Sequence, residues 1–132
     1  MRLLVDTNLF IEVLLSQVGA SEARTFLENR KGHELFVSDF ALHSIGLLLF
    51  RRKQHHVFHQ FLQDLIAGTG IEMVSLTAQE MDSLIDVAGK FNLDFDDAYQ
   101  YGTAIKHRLR IVSFDADFDH TPDGRLLPAD VL

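Results

Sequence analysis

The chain has 132 residues, 47% hydrophobic and 23% charged; this is ordinary globular composition, and the simplest organisation is a single domain over 1–132. It contains no cysteine, which excludes disulfides and thiolate metal sites and fits a cytoplasmic location. The formal net charge of −7 argues against a generic nucleic-acid coat but not against a nuclease, because an acidic metal site itself lowers the net charge.

The opening apolar run, Leu3-Leu4-Val5, is too short for a signal peptide and is closed by Asp6. Residues 2–6 read as a buried strand. A helix follows to about Leu15 with Asn8 as its cap, and Ser21 is expected to cap a second helix with Ala23, Phe26 and Leu27 on its apolar face. Leu35-Phe36-Val37 is a second strand, and Asp39 to about Lys53 is helical. His56 to Ala67 forms a further helix with Phe58, Phe61, Leu62 and Leu65 in an apolar stripe, broken by Gly68 and Gly70. That stripe fits core packing or a contact surface. Ile45 to Phe50 is apolar but far short of the ~20 residues of a membrane span, so no membrane association is expected. Ile71 to Val74 is a third strand. Thr77-Ala78-Gln79-Glu80 is a capping-box pattern opening a helix to about Phe91. Asp94 or Phe95 opens another to about Arg108, and Ile111-Val112-Ser113 is a fourth strand. A short edge strand is expected around Arg125-Leu126-Leu127. Strands alternating with helices imply βα units and a mostly parallel four- or five-stranded sheet between helical layers. Two basic stretches, Arg51-Arg52-Lys53 with His55-His56 and Lys106-His107-Arg108 with Arg110, read either as solvated helix ends or as substrate contacts.

The chemistry-bearing residues are acidic and fall in three places: Asp6; Asp94, Asp96 and Asp97; and Asp115 with Asp117. Two of these groups sit where a strand stops. A parallel sheet gathers the carboxyl ends of its strands along one edge, where ligands bind. Carboxylates gathered there repel one another unless a cation sits among them, and oxygen donors select a hard ion, Mg²⁺ or Mn²⁺. Taken singly, Asp6 and Asp97 are helix caps and Asp115 a turn residue. Together they form a candidate metal site. Asp96 is turned ~100° from Asp97 on the helix and reads as a first-turn charge, with Asp94 as the cap.

The stretches LLVDTN at the start, LDFDDAYQYGTAIKHRLRIVSFDADFD near the end and the closing Pro128-Ala129-Asp130 resemble the PIN domain, by pattern the VapC-like toxins of toxin–antitoxin pairs. The resemblance spans nearly the whole chain. It implies a three-layer α/β/α sandwich and a Mg²⁺- or Mn²⁺-dependent ribonuclease whose hydrolysis leaves a 5′-phosphate. It implies Asp6, Asp97 and Asp115 as catalytic metal-binding acids, with Asp117 completing the last acidic pair. Asn8 and Ser113 match supporting polar positions. The implied partners are an RNA substrate, a small antitoxin and a second copy in a homodimer. The pattern departs in one place. The family carries a glutamate on the helix after the second strand; counted from Ser38, that position is Ser44, preceded by His43. Asp39 and Glu12 are other acids near enough in sequence to be considered for the gap. The departure keeps a second reading open, a catalytically weakened PIN-fold module that binds RNA or protein. A third, a receiver-like phosphoacceptor domain, lacks a lysine after the last strand.

Overall fold

A computed structural model describes residues 1–30, 32–67 and 70–132. Among them four strands, β1 (Arg2–Val5), β2 (Glu34–Ser38), β3 (Glu72–Val74) and β4 (Arg110–Val112), form one sheet in the order β3-β2-β1-β4. Every pairing is parallel, with Leu4 opposite Phe36 and Ile111. The helices are α1 (Thr7–Leu14), α2 (Ala20–Glu28), α3 (Asp39–Arg51), α4 (His55–Ile66), α5 (Ala78–Met81), α6 (Leu84–Phe91) and α7 (Phe95–His107). Short 3₁₀ turns follow at Ala116–His120 and Pro128–Val131.

The apolar runs of the strands are continuous because both sheet faces are covered. Side chains alternate across the sheet, so Leu3, Val5, Leu35, Val37 and Val112 enter one core with Leu9, Phe26, Ile45 and Phe61 from α1–α4. Leu4, Phe36 and Ile111 enter the other, with Leu84, Ala98 and Ala104 from α6 and α7. This is the three-layer sandwich. Its layering follows from handedness. Right-handed crossovers that step outward from β1 to β2 to β3 put their helices on one face; the return from β3 to β4, in the opposite direction, puts its helices on the other. The strand order therefore reverses at β1, and the crevice between β1 and β4 opens at their carboxyl ends.

Several local expectations shift. Asp6, not Asn8, is the N-cap of α1. Ser21 lies inside α2, whose N-cap Gly19 makes no side-chain cap bond. The capping box at Thr77 and Glu80 is present, but the helix it opens stops at Met81. At the stop the Ser83 hydroxyl donates to the Glu80 carbonyl at 2.9 Å, a side-chain bond of the kind that bends helices. The helix resumes as α6, which approaches α7 so closely that a Cβ on Gly102 would stand 2.5 Å from Leu84 Cδ2. The expected edge strand is a single bridge, Leu126 beside Val112. Gly68 lies outside the described residues. In α4, Phe58, Phe61 and Leu65 face the core. Arg51, Lys106 and His107 occupy last helical turns, and Lys106 pairs with Glu80 at 2.7 Å. No helix among the described residues is long and apolar enough to cross a membrane.

Candidate metal centre

β1 ends at Val5, so Asp6 is delivered to the carboxyl edge of the sheet at the start of α1. It is buried, and its carboxylate accepts three hydrogen bonds, which leaves Oδ2 with acceptor capacity to spare. Oδ1 accepts from the Thr7 amide at 2.8 Å and from Gln100 Nε2 at 2.9 Å, and Oδ2 accepts from Ser113 Oγ at 2.6 Å. Burial raises the Asp6 pKa against the pull of those three donors, and Asp115 adds to the rise.

β4 ends at Val112 on the neighbouring strand and delivers Ser113 to the same place. Ser113 Oγ also accepts from Asn8 Nδ2 at 3.1 Å and from the Asp115 amide at 2.9 Å, while Asn8 Oδ1 accepts from the Phe114 amide at 3.3 Å. Asn8 and Ser113 thus stitch the ends of β1 and β4 together. Asp115 caps the next turn through the Asp117 amide at 2.9 Å. Asp97 enters from the other core layer. Asp94 caps α7 by accepting from the Asp97 amide at 2.9 Å, which sets Asp97 in the first turn, buried. Burial, then the charges of Asp115, Asp94 and Asp6, push the Asp97 carboxyl up to about 8.

Asp97, Asp115 and Asp117 each offer a carboxylate oxygen, and these oxygens lie within 4.8 Å of one another. Asp97 is also a wall of a cleft of about 240 Å³ that it shares with Asp6, Asn8, Phe40, Ser44 and Gln100. Asp6 is therefore beside the three-acid group rather than in it. Ser44 reaches the cleft, at the position where the family pattern has its glutamate; His43 is exposed and does not line it. Asp96 lines the cleft but is exposed and outside the acid group. Asp39 is occupied elsewhere, accepting from Tyr99 OH at 2.7 Å, and Glu12 accepts from the Gly19 amide at 3.4 Å. Two larger hollows, about 720 and 530 Å³, are lined by none of Asp6, Asp97, Asp115 or Asp117.

The residue that sequence reading missed is Gln100. It is buried one turn after Asp97. Its Oε1 accepts from Ser38 Oγ at 2.6 Å, which leaves Nε2 aimed at Asp6; Ser38 in turn caps α3 through the Ala41 amide at 2.9 Å. A glutamine three residues after an acid on a helix lies on the same face, and that spacing was its only signal.

The donor set fits a hard divalent cation. All the candidate ligands are carboxylate oxygens, no soft ligand is present, and Asp97, raised first by burial, is raised further by neighbouring carboxylates whose charge a cation would offset. The PIN domain family model matches residues 3–124. The chain belongs to the PIN domain family. Similar solved PIN-fold structures include VapC20 of Mycobacterium tuberculosis, a sarcin-ricin loop cleaving toxin, with TM-score 0.79, 18% identity, and 96% of this chain and 99% of that one covered. A toxin–antitoxin complex from Klebsiella pneumoniae has TM-score 0.73 at 23% identity, covering 95% and 96% of the two chains. VapBC2 of Rickettsia felis, bound to a DNA fragment from its promoter, has TM-score 0.72 at 16% identity, covering 96% and 97%. No curated protein matches the sequence significantly. These identities carry the likeness of the PIN fold alone.

Proposed function

We propose that this PIN domain is a divalent-metal-dependent endoribonuclease of the cytoplasm, the toxin of a type II toxin–antitoxin pair, working as a homodimer restrained by a small antitoxin. The observation that carries the reading is the convergence of Asp97, Asp115 and Asp117 beside Asp6, at the sheet edge where the strand order reverses. Two of the similar structures are toxin–antitoxin complexes, which supports the antitoxin partner.

In this reading Asp97, Asp115 and Asp117 hold Mg²⁺ or Mn²⁺, and Asp6 shares in holding it. When bound, the ion supplies Lewis-acid stabilisation of phosphate charge and a water of lowered pKa. The chain's own residues do the rest. Ser113, Gln100 and the Thr7 amide hold the Asp6 carboxylate in one orientation, so no reorganisation is needed as charge develops. Asn8 fixes Ser113. Water attacks phosphorus, the P–O3′ bond breaks, and the leaving 3′-oxygen takes a proton from solvent, giving a 5′-phosphate and a 3′-hydroxyl. The proton lost by water passes to a carboxylate facing the cleft.

Purified protein is expected to cut RNA only with added Mg²⁺ or Mn²⁺, and Asp6→Asn or Asp97→Asn to abolish cutting. Cleavage that persists in EDTA, or full activity in both variants, contradicts the reading. A second reading has one observation in its favour. Ser44 puts a hydroxyl where the family pattern supplies a carboxylate to this cleft, which suits a module that binds RNA or protein without cutting. Metal titration beside the cleavage assay separates the two, since the binding module takes up metal or RNA and yields no product.

A further inference from the structure

Phe95 is the first residue of α7 and is 55% exposed, next to Asp96 and two residues from Asp97. Phe95 does not line the cleft itself, but its neighbour Asp96 and its ring partner Phe40 both do. The other strongly exposed aromatic among the described residues, Phe50, sits ten residues along α3 from Phe40, about 15 Å away, and packs on His55 and Phe58.

Phe95 belongs to a built group of three rings. Its centroid lies 6.1 Å from Phe40, edge to face at 73°, and 6.1 Å from Tyr99, while Phe40 and Tyr99 are 5.6 Å apart. The group is anchored. Tyr99 OH donates to Asp39 at 2.7 Å and accepts from the Leu76 amide at 3.0 Å, and Asp39 also accepts from the Phe40 amide at 2.8 Å. Phe40 joins the rings to the site, since it lines the cleft with Asp6, Ser44 and Asp97. A continuous set of aromatic contacts thus runs from Phe40 in the cleft to the exposed Phe95.

We infer that Phe40 and Phe95 form a stacking subsite for an unpaired nucleobase of a single-stranded RNA. The inference rests on the ribonuclease reading above and adds to it the part of the substrate that is held. A base hangs one sugar away from its phosphate, so a phosphodiester seated at the acid group places a neighbouring base against the adjoining wall. Stacking uses the π-face that all bases share, so this subsite selects unpaired over paired RNA and tolerates any sequence. A duplex keeps its bases stacked on one another and cannot offer one to Phe95.

The test measures binding and cleavage of a short fluorescein-labelled single-stranded RNA of mixed sequence in Mn²⁺, for the full chain and its Phe95→Ala and Phe95→Trp variants. Loss of one stacked base corresponds to a fall in affinity of about tenfold. That fall is expected in Kd and KM rather than kcat for Phe95→Ala, with recovery in Phe95→Trp and no effect on binding of the corresponding duplex. Phe40→Leu, which keeps an apolar side chain in the cleft, is expected to weaken single-strand binding in the same direction. Wild-type affinity in Phe95→Ala overturns the inference. So does equal weakening in Phe95→Trp, or weakening that coincides with dissociation of a dimer in sedimentation, which reassigns Phe95 to a protein contact. Cleavage insensitive to Phe95 sinks the subsite and leaves the ribonuclease reading standing. Phe95-dependent binding without cleavage supports the subsite and sinks catalysis. A wild-type chain that neither binds nor cuts overturns both.

Discussion

Asp97 is held in the crevice at an electrostatic cost. Its carboxyl is raised to about 8 by burial first and by Asp115, Asp94 and Asp6 after it, so between the ordinary carboxylate range and about 8 the metal-free fold holds a proton that the unfolded chain has released. The sign follows. A group whose pKa is higher in the folded state contributes stability that is fully present below the unfolded pKa and is lost as pH rises through the folded value. The melting temperature of the metal-free protein should therefore fall as pH is raised from the ordinary carboxylate range to about 8, and level off above it. Asp97→Asn should remove much of that slope. Thermal melts of both proteins across that range check it, and parallel slopes contradict it. Bound metal works against the same proton, so Mn²⁺ affinity should rise over the range in which Asp97 ionises. Acids were legible at this scale because their spacing is explicit in the chain. Gln100 was not, because a single glutamine on a helix carries no sign that Ser38 and Asp6 meet it from two different strand ends.

Elements are placed by caps that also serve the site. Ser38 caps α3 and orients Gln100; Asp6 caps α1 and faces the cleft; Asp94 caps α7 and sets Asp97 in its first turn. Thr77 offers a control away from the acids. Its hydroxyl accepts from the Glu80 amide at 3.2 Å, and Glu80 Oε1 accepts from the Thr77 amide at 2.9 Å and from Lys106 at 2.7 Å. Thr77→Ala should cost about 1 kcal/mol, seen as a lower urea midpoint with unchanged m, and should leave Mn²⁺ binding as it is. A wild-type midpoint would show that the Glu80–Lys106 pair alone holds α5. The capping box, the strand positions and the cap at Asp94 were readable because each depends on residues close in sequence. Asn8 and Ser21 misled for the opposite reason. Both have capping side chains, but Asn8 is taken by Ser113 and Phe114 across the β1–β4 crevice, and α2 starts at Ala20, ahead of Ser21. At the break between α5 and α6 the Ser83 hydroxyl bonds the Glu80 carbonyl, a local contact that a periodicity argument does not weigh.

Across the whole molecule, the PIN fold turns a net charge of −7 into a local device. Parallel strands point their carboxyl ends the same way, and the reversal of strand order at β1 leaves a crevice there. Asp6 and Asp115 arrive on the two strands that flank it, and Asp97 comes over from the second helical layer. The sandwich class was legible from the alternation of strands and helices. Which strand lay at the switch was not, because pairing order is set by crossover direction rather than by any local pattern. The central claim, that this convergence is a cation site, is tested most directly by a crystal of the protein soaked in Mn²⁺ and measured for anomalous scattering. The account predicts a peak in contact with carboxylate oxygens of Asp97, Asp115 and Asp117, at about 2.1 Å as for a small octahedral cation. An ordered crevice without a peak, or a peak bound only by residues elsewhere on the surface, would contradict it.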